Sequence, residues 1–257
     1  MNIKFIGTGS GFASLKRSHS SIFISSSGYN LLVDCGDGIS RAILKQDINF
    51  NSISSILISH MHADHYAGLP ALLTQMKLTG RTNNLSIFVH STELKFIEDL
   101  IFHSYLFKER MDFELQIIPI ETEKEITLKD HFSYKSKFNS HLDKYKKHDP
   151  ENKLGFVSLS FLFKDEEKIA FYSGDIGNEL DLYLFNQKVD WFIIETSHLQ
   201  VENLEMVFEK LNPGKIILTH IADNVEETLK GYLESLPKQL KSRLLLASDG
   251  FELNQSI

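Results

Sequence analysis

The densest chemistry in the chain lies in His60-Met61-His62-Ala63-Asp64-His65, where three imidazoles and one carboxylate fall within six positions. An apolar strand-like run, 53–59, precedes this segment, and a run with apolar residues at helical spacing, 64–78, follows it. In an extended segment the side chains at i and i+2 point the same way, so His60 and His62 can offer two imidazoles to one cation. Asp64 and His65 fall past the bend, at the start of the helix, and can face a second cation. Neutral imidazole and carboxylate suit Zn2+, and also Mn2+ or Fe.

A site for two metals needs more donors than these four. Asp175 lies in Tyr172-Ser173-Gly174-Asp175-Ile176-Gly177, at the end of a strand, and a carboxylate has two oxygens with which to bridge two cations. His220 ends the run Ile216-Ile217-Leu218-Thr219, and His141 ends Phe138-Asn139-Ser140-His141. Each of these alone is as readily a surface or capping residue; together they supply the missing donors. The expected arrangement is His60, His62 and His141 on one metal, Asp64, His65 and His220 on the other, and Asp175 between. Each metal then keeps an open position for water and substrate. His131 and His148 compete with His141 for the third place. Two divalent cations per chain, Zn2+ first and Mn2+ second, are the expected cofactors.

The elements that must position these residues alternate between strand and helix. Strands are expected over 2–7, 20–25, 30–34, 53–59 and 85–89, then across 113–163 with a polar interruption near 144–152, then over 168–172, 191–194, 215–218 and 243–246. Helices are expected over 37–45, 64–78, 92–107, 176–185, 200–211 and 225–236. The two halves echo one another: Leu31-Leu32-Val33-Asp34-Cys35-Gly36-Asp37 is similar to Ile169-Ala170-Phe171-Tyr172-Ser173-Gly174-Asp175, and Ile56-Leu57-Ile58-Ser59-His60 to Ile216-Ile217-Leu218-Thr219-His220. Two related β-rich halves with helices outside make an α/β protein of αββα four-layer sandwich type. No linker or low-complexity tract divides the sequence, so residues 1–257 are expected to form a single domain.

The His60–His65 pattern, with Asp175 and His220 in order behind it, resembles the metallo-β-lactamase superfamily. Gly7-Thr8-Gly9-Ser10-Gly11, Leu31-Leu32-Val33-Asp34-Cys35-Gly36 and Ser248-Asp249-Gly250-Phe251-Glu252 resemble its ribonuclease Z-type branch, so the likeness runs nearly end to end. The resemblance implies a dinuclear metal-dependent phosphodiesterase in which a metal-activated hydroxide attacks the phosphodiester. Asp34 resembles the branch's buried aspartate, which orients a metal-ligating histidine through its second ring nitrogen. His198 stands 22 positions before His220, a spacing similar to that of the branch histidine that assists phosphate binding and leaving-group departure. Glu195 could orient His198, although the branch spreads its glutamate–histidine pair over a longer loop. Asp64 is implied to hydrogen-bond the nucleophile as well as to bind metal.

The substrate is expected to be a small or cyclic nucleotide. Only 34 positions separate His141 from Asp175, too few for the long basic arm of many tRNA-processing relatives. The formal net charge of −7 is a poor match for a large RNA. A ribonuclease Z-type tRNA 3′-processing endonuclease remains the alternative, so RNA stays open as a partner. Weaker alternatives are a lactonase- or thioesterase-type hydrolase and a non-catalytic binding protein. Lys144, Lys146 and Lys147 form a basic stretch that reads as a solvated loop. Arg17 and His19 stand near the expected mouth of the site, with no role fixed by the sequence. His90 and His103 read as structural. The composition is that of a globular protein, 42% hydrophobic and 24% charged, and the frequent Phe reads as core filler. The single cysteine, Cys35, excludes an internal disulfide and fits a reducing cytoplasm. No signal-peptide core or membrane-length apolar run is visible. A homodimer is an expectation by analogy with the branch alone.

Overall fold

The computed structural model describes residues 1–201 and 203–254. Its strands are buried on one face or both. In β1 (Asn2–Gly7), Ile3 and Phe5 join the core between two sheets, while Ile6 points the opposite way into the helices outside. The first sheet continues with β2 (Ser21–Ser26), β3 (Tyr29–Val33), β4 (Ser55–Leu57), β5 (Leu85–Val89) and β6 (Leu115–Pro119). The second is built from β7 (Glu125–Lys129), β8 (Phe132–Phe138), β9 (Leu159–Lys164), β10 (Ile169–Tyr172), β11 (Trp191–Glu195), β12 (Lys215–Thr219) and β13 (Leu244–Leu246), and the short β14 (Glu252–Leu253) returns to pair with β1. The orders are β14-β1-β2-β3-β4-β5-β6 and β13-β12-β11-β10-β9-β8-β7.

Helices α1 (Ile39–Lys45), α2 (Ala63–Tyr66), α3 (Leu69–Leu78) and α4 (Leu94–His103) belong to the first half, and α5 (Asn203–Leu211), α6 (Glu226–Ser235) and α7 (Lys238–Lys241) to the second. Leu72, Leu73 and Ile97 pack from the helices onto the outer face of the first sheet, and Leu204, Val207 and Phe208 onto that of the second. The inner faces meet through Phe5, Val33, Phe161, Tyr172, Trp191 and Ile193. This is the expected αββα sandwich. Burying each such large side chain contributes about 1.5–3 kcal/mol before the entropic cost of ordering it. Strand β11 is apolar at four consecutive positions because Trp191 and Ile193 face the second sheet's partner while Phe192 and Ile194 face the helices.

Each sheet has an antiparallel part and a parallel part. Strands β1 to β3 pair antiparallel and β3 to β6 parallel, while β7 to β10 pair antiparallel and β10 to β13 parallel. Strands β3 and β10 therefore hold matching places, which is the physical content of the first sequence echo. The second echo is not positional: β4 neighbours β3, whereas β11 intervenes between β10 and β12. The loops after β3, β4, β8, β10, β11 and β12 leave carboxyl ends of strands, the edge at which open α/β sheets bind ligands.

Two expected helices differ. The run 64–78 is broken into α2 and α3, because Pro70 has no N–H to give the Tyr66 carbonyl four positions earlier. The stretch 176–185 forms only a 3-10 turn, Glu179–Tyr183, because Asp181 turns its carboxylate back onto the N–H groups of Gly177 and Asn178. Of the helix expected over 200–211 the structure shows Asn203–Leu211, and residue 202 lies outside the described residues, as do 255–257 of the expected single domain. Among the described residues no helix is long and apolar enough to cross a membrane.

Candidate active site

Four connections, the one after β4 that runs into α2 and the loops after β8, β10 and β12, bring the seven expected donors together in two groups. In the first group the Nδ1 of His62 lies 3.1 Å from the Nε2 of His60 and 3.1 Å from the Nε2 of His141. Asp175 Oδ2 stands 3.9 Å from His60 Nε2 and 3.7 Å from His141 Nε2. In the second group Asp64 Oδ2 lies 3.5 Å from His65 Nε2 and 3.3 Å from His220 Nε2. Asp175 Oδ1 lies 3.4 Å from His65 Nε2 and 3.5 Å from His220 Nε2. Two donors at about 2.1 Å from one tetrahedral cation stand about 3.4 Å apart, so both groups have the spacing of a coordination shell. Asp175 faces one group with each oxygen. Among the described residues the buried His65 Nε2 and Asp175 Oδ1, 3.4 Å apart, make no hydrogen bond, a state that is costly unless a cation satisfies them.

The inward direction of these nitrogens is set from behind. Asp34, fully buried, lies 2.8 Å from His65 Nδ1, and accepts the Ser59 N–H at 2.8 Å and the Ser59 hydroxyl at 2.9 Å. Ser59 Oγ is 3.0 Å from His60 Nδ1. His141 Nδ1 faces the Ile176 carbonyl at 3.2 Å, and His220 Nδ1 faces the Ser197 hydroxyl at 2.9 Å. Asp34 and His220 both adopt left-handed backbone, with φ of 63° and 55°, a conformation that costs about 1–3 kcal/mol away from glycine and clusters at functional sites. At Gly36 a Cβ would lie 1.9 Å from the Asp64 carbonyl oxygen, so only glycine lets the turn after Asp34 approach α2. Cys35 N–H then bonds the His65 carbonyl at 2.7 Å.

The two groups differ electrostatically. Burial holds His60 well below the usual imidazole range, assisted by the neighbouring His65. Burial likewise lowers His62, and lowers His141 to about 4. In the second group burial is outweighed: the charges of Asp175 and Asp34 hold His65 well above its ordinary value, and Asp175 and Asp64 raise His220. Burial also opposes ionisation of Asp175 and Asp64, yet the surrounding histidines keep both below the usual carboxylate range. Among the described residues, imidazoles are the chief groups offsetting the negative charge of Asp175 and Asp64.

Glu195 and His198 sit beside this cluster. His198 Nδ1 is 2.9 Å from Glu195 Oε1, and its ring lies edge-on to His141 at a centroid distance of 4.8 Å. Glu195 is buried and also accepts the N–H groups of Ser197, of His198 at 3.0 Å and of Ile176 at 3.3 Å. The compact spacing therefore suffices for contact. His198 keeps 31% of its side chain exposed. His131 is remote from the cluster in its contacts, pairing with Glu166 at 2.9 Å on an exposed turn, and His148 lines a cavity beside His62. Arg17 is committed to Thr8, to the Ala247 carbonyl and to Glu226, and His19 Nδ1 to the Ser10 carbonyl at 2.8 Å. Lys144, Lys146 and Lys147 fall in a 3-10 turn, Asp143–His148, with Lys146 paired to Asp143. His90 caps a 3-10 turn through Thr92, and His103 ends α4 on the surface.

Ser59, Ser197 and Asp181 escape a reading of the sequence. The two serines carry a weak signal, each preceding a histidine at the end of a strand. Asp181 carries none: its carboxylate accepts from Ser140 N–H, Ser140 hydroxyl and Gly177 N–H, joining the loop of His141 to that of Asp175. The cavity beside His62, walled by Met61, Tyr66, Phe96 and Tyr145, is equally invisible in the sequence because its residues come from separated loops.

The model of the family described as Anti-Pycsar protein Apyc1 matches residues 1–235. Ribonuclease Z of Prochlorococcus marinus (strain AS9601) is 37% identical over 123 residues, which cover 47% of this chain and only 38% of that protein. The metallo-beta-lactamase fold protein YhfI from Bacillus subtilis superposes with a TM-score of 0.76 at 18% identity, covering 98% of this chain and 99% of that one. Human tRNase Z, short form, superposes with a TM-score of 0.69 at 19% identity, covering 99% of each chain. The two mixed sheets with flanking helices are the metallo-β-lactamase fold, and the sequence likeness lies in its ribonuclease Z-like branch.

Proposed function

We propose, from the premise that this chain belongs to the Anti-Pycsar protein Apyc1 family, that it is a metal-dependent phosphodiesterase acting on a small cyclic nucleotide. The observation that carries this reading is the pair of donor groups sharing Asp175, with the Glu195–His198 pair against their edge. His60, His62 and His141 would hold one divalent cation and Asp64, His65 and His220 a second, with Asp175 between; the nitrogen and oxygen donor set suits Zn2+, with Mn2+ next. Cations held there supply Lewis acidity, making water a nucleophile at neutral pH and offsetting phosphoryl charge.

The chain's own residues do the rest. Asp34 and Ser59 fix the rings of His65 and His60, so that the donors are set before substrate arrives. Asp64, 14% exposed at its side chain, offers a carboxylate that can accept a proton-bearing nucleophile's hydrogen bond and aim it. Glu195 accepts from His198 Nδ1 and so orients the ring, and His198 Nε2, when it too carries a proton, hands that proton to the departing oxygen.

A small substrate follows from what fills the interval between His141 and Asp175. It is taken up by the 3-10 turn Asp143–His148 and by β9 and β10, with no projecting arm. The net charge of −7 opposes a long polyanion outside the immediate site. The likeness to ribonuclease Z favours tRNA 3′ processing as the second reading. A cytoplasmic location, in keeping with the single buried cysteine, and a homodimer complete the proposal. The test is a substrate panel on zinc- or manganese-loaded protein: bis-p-nitrophenyl phosphate, cyclic nucleotides, a tRNA precursor, a homoserine lactone and nitrocefin. Turnover of the cyclic nucleotides is expected; activity confined to the last two substrates overturns the phosphodiesterase reading, and activity confined to the precursor selects the second.

A further inference from the structure

A positive charge stands at the mouth of the donor cluster. Tyr145 lies edge-on to His62 at a centroid distance of 5.6 Å, and Lys144 Nζ lies 5.2 Å from the centroid of the Tyr145 ring. The ammonium is therefore two contacts away from a metal donor. Its charge reaches that donor: burial is the first cause that lowers His62, and the charges of His65 and Lys144 add to it.

The partner that holds this ammonium decides what it can do. A carboxylate cancels the charge of a lysine, whereas the face of an aromatic ring steadies the cation and leaves its charge in place. Among the described residues Lys144 makes no ion pair. The acid beside it, Asp143, is taken by Lys146 at 2.7 Å, and Glu151 by Lys153 at 2.6 Å. Arg17, on the first loop, is taken by Glu226. Lys144 thus keeps its charge for a partner from outside. The background it acts against is acidic: the formal net charge is −7, and Glu93 and Asp149 wall the cavity beside His62. An anion entering this mouth is repelled by both carboxylates, and a cleft focuses the field of the one exposed ammonium that opposes them.

We propose that Lys144 is a substrate-binding residue, whose ammonium leaves the Tyr145 face to pair with a phosphoryl oxygen as the phosphodiester reaches the donors. The inference rests on the reading of the protein as a phosphodiesterase. The flexible four-carbon stem permits the swing, and an ammonium with three donors needs no single direction of approach. The partner is the negative charge on the phosphoryl group, so the contact is indifferent to the base. It forms when substrate binds and persists through the reaction, so it lowers KM and leaves kcat as it is.

The experiment compares Lys144→Met, Lys144→Arg and Lys147→Met with the unaltered protein, all loaded with zinc. Lys147 is exposed in the same 3-10 turn, so its substitution removes the same charge from a neighbouring place. Calorimetric binding of inorganic phosphate and steady-state turnover of bis-p-nitrophenyl phosphate are both read. In Lys144→Met, phosphate is expected to bind about fivefold more weakly, the upper worth of an exposed ion pair, and KM to rise by a similar factor with kcat unchanged. Lys144→Arg is expected to restore both and Lys147→Met to change neither. The difference is expected to vanish at about 1 M salt, where the Debye length is about 3 Å. Phosphate binding that is unchanged in Lys144→Met, equally weakened in Lys147→Met or not restored by arginine overturns the inference, as does loss of zinc from Lys144→Met. Phosphate binding that depends on Lys144 without turnover of the diester removes the phosphodiesterase and leaves the anion contact. Turnover without that dependence removes the contact and leaves the phosphodiesterase.

Discussion

Asp34 Oδ2 lies 2.8 Å from His65 Nδ1, and this contact decides which way His65 points. With Nδ1–H donated backwards, Nε2 is left to face Asp64 and Asp175. Asp34→Asn keeps the side-chain volume and tolerates the left-handed backbone, but its amide cannot reproduce the carboxylate's charge. Metal affinity is expected to fall about 10–100-fold, since such supporting partners typically contribute that much. Competition against a chromophoric chelator measures it. Affinity equal to that of the unaltered protein would mean that Asp34 merely fills the turn.

Metal should stabilise the fold as well as activate it. Free cation at 100 times its dissociation constant stabilises a one-site protein by about 2.7 kcal/mol. In a domain of this size that corresponds to a rise in Tm of roughly 5–10 °C. Thermal unfolding with zinc and with a chelator reads the difference. Asp175→Ala, which takes a donor from both groups, is expected to abolish most of the rise; a full rise in that variant contradicts the shared-carboxylate arrangement.

His198 touches His141 by its ring but offers no donor to either group, so its removal separates proton transfer from metal binding. His198→Ala is expected to lower turnover about 10²–10⁴-fold with metal content unchanged. Metal analysis beside steady-state kinetics decides. Metal lost in proportion to activity would make His198 a ligand, or a support for one, instead of an acid.

Asp181 is 5% exposed and holds Ser140 and Gly177 on one carboxylate. Asp181→Ala leaves those donors unpaired, which costs about 1–3 kcal/mol for each that water cannot reach. The effect should also be uneven. His141 follows Ser140, so the group of His60, His62 and His141 is expected to lose cation affinity while the group of Asp64, His65 and His220 keeps most of its own. A two-step zinc titration shows whether the weaker step is the one that changes; uniform loss of both steps points to general unfolding.

The sandwich was legible because strand burial writes itself into composition: β11 is apolar from Trp191 to Ile194, and β1 alternates between two cores. The donors of the segment 60–65 were legible because four of them are neighbours in sequence, and a strand-to-helix bend fixes where they point. His141 was harder, since its place depends on the Ile176 carbonyl from another loop, and only the structure separates it from His131 and His148. Pro70 and Asp181 were present in the sequence, yet their effects on helix boundaries depend on a lost i+4 bond and on a carboxylate turned backwards, and periodicity registers neither. The walls of the cavity come from α2, α4 and the loop before β9, and no local pattern joins them.

The loop that carries Gly11 beside Asp64 is anchored by Arg17, and Arg17 by Glu226 at the start of α6. The guanidinium is 7% exposed and also donates to Thr8 Oγ1 and to the Ala247 carbonyl. A hydrogen bond from Lys230, and the charge of Arg17 against a burial penalty, keep the Glu226 carboxyl below its ordinary value. Its folded-state value is therefore lower than its unfolded one. The stability it contributes is fully present above the unfolded carboxylate range, near pH 4.3, and is lost as pH falls through the lower folded value. Glu226→Gln is expected to cost about 1 kcal/mol at neutral pH and progressively less below about pH 4. Urea unfolding of both metal-free proteins at the two pH values measures the gap, because the histidine cluster is common to them and cancels. A gap that stays constant as the pH falls would assign the effect to lost packing around Arg17, with no share for the ion pair.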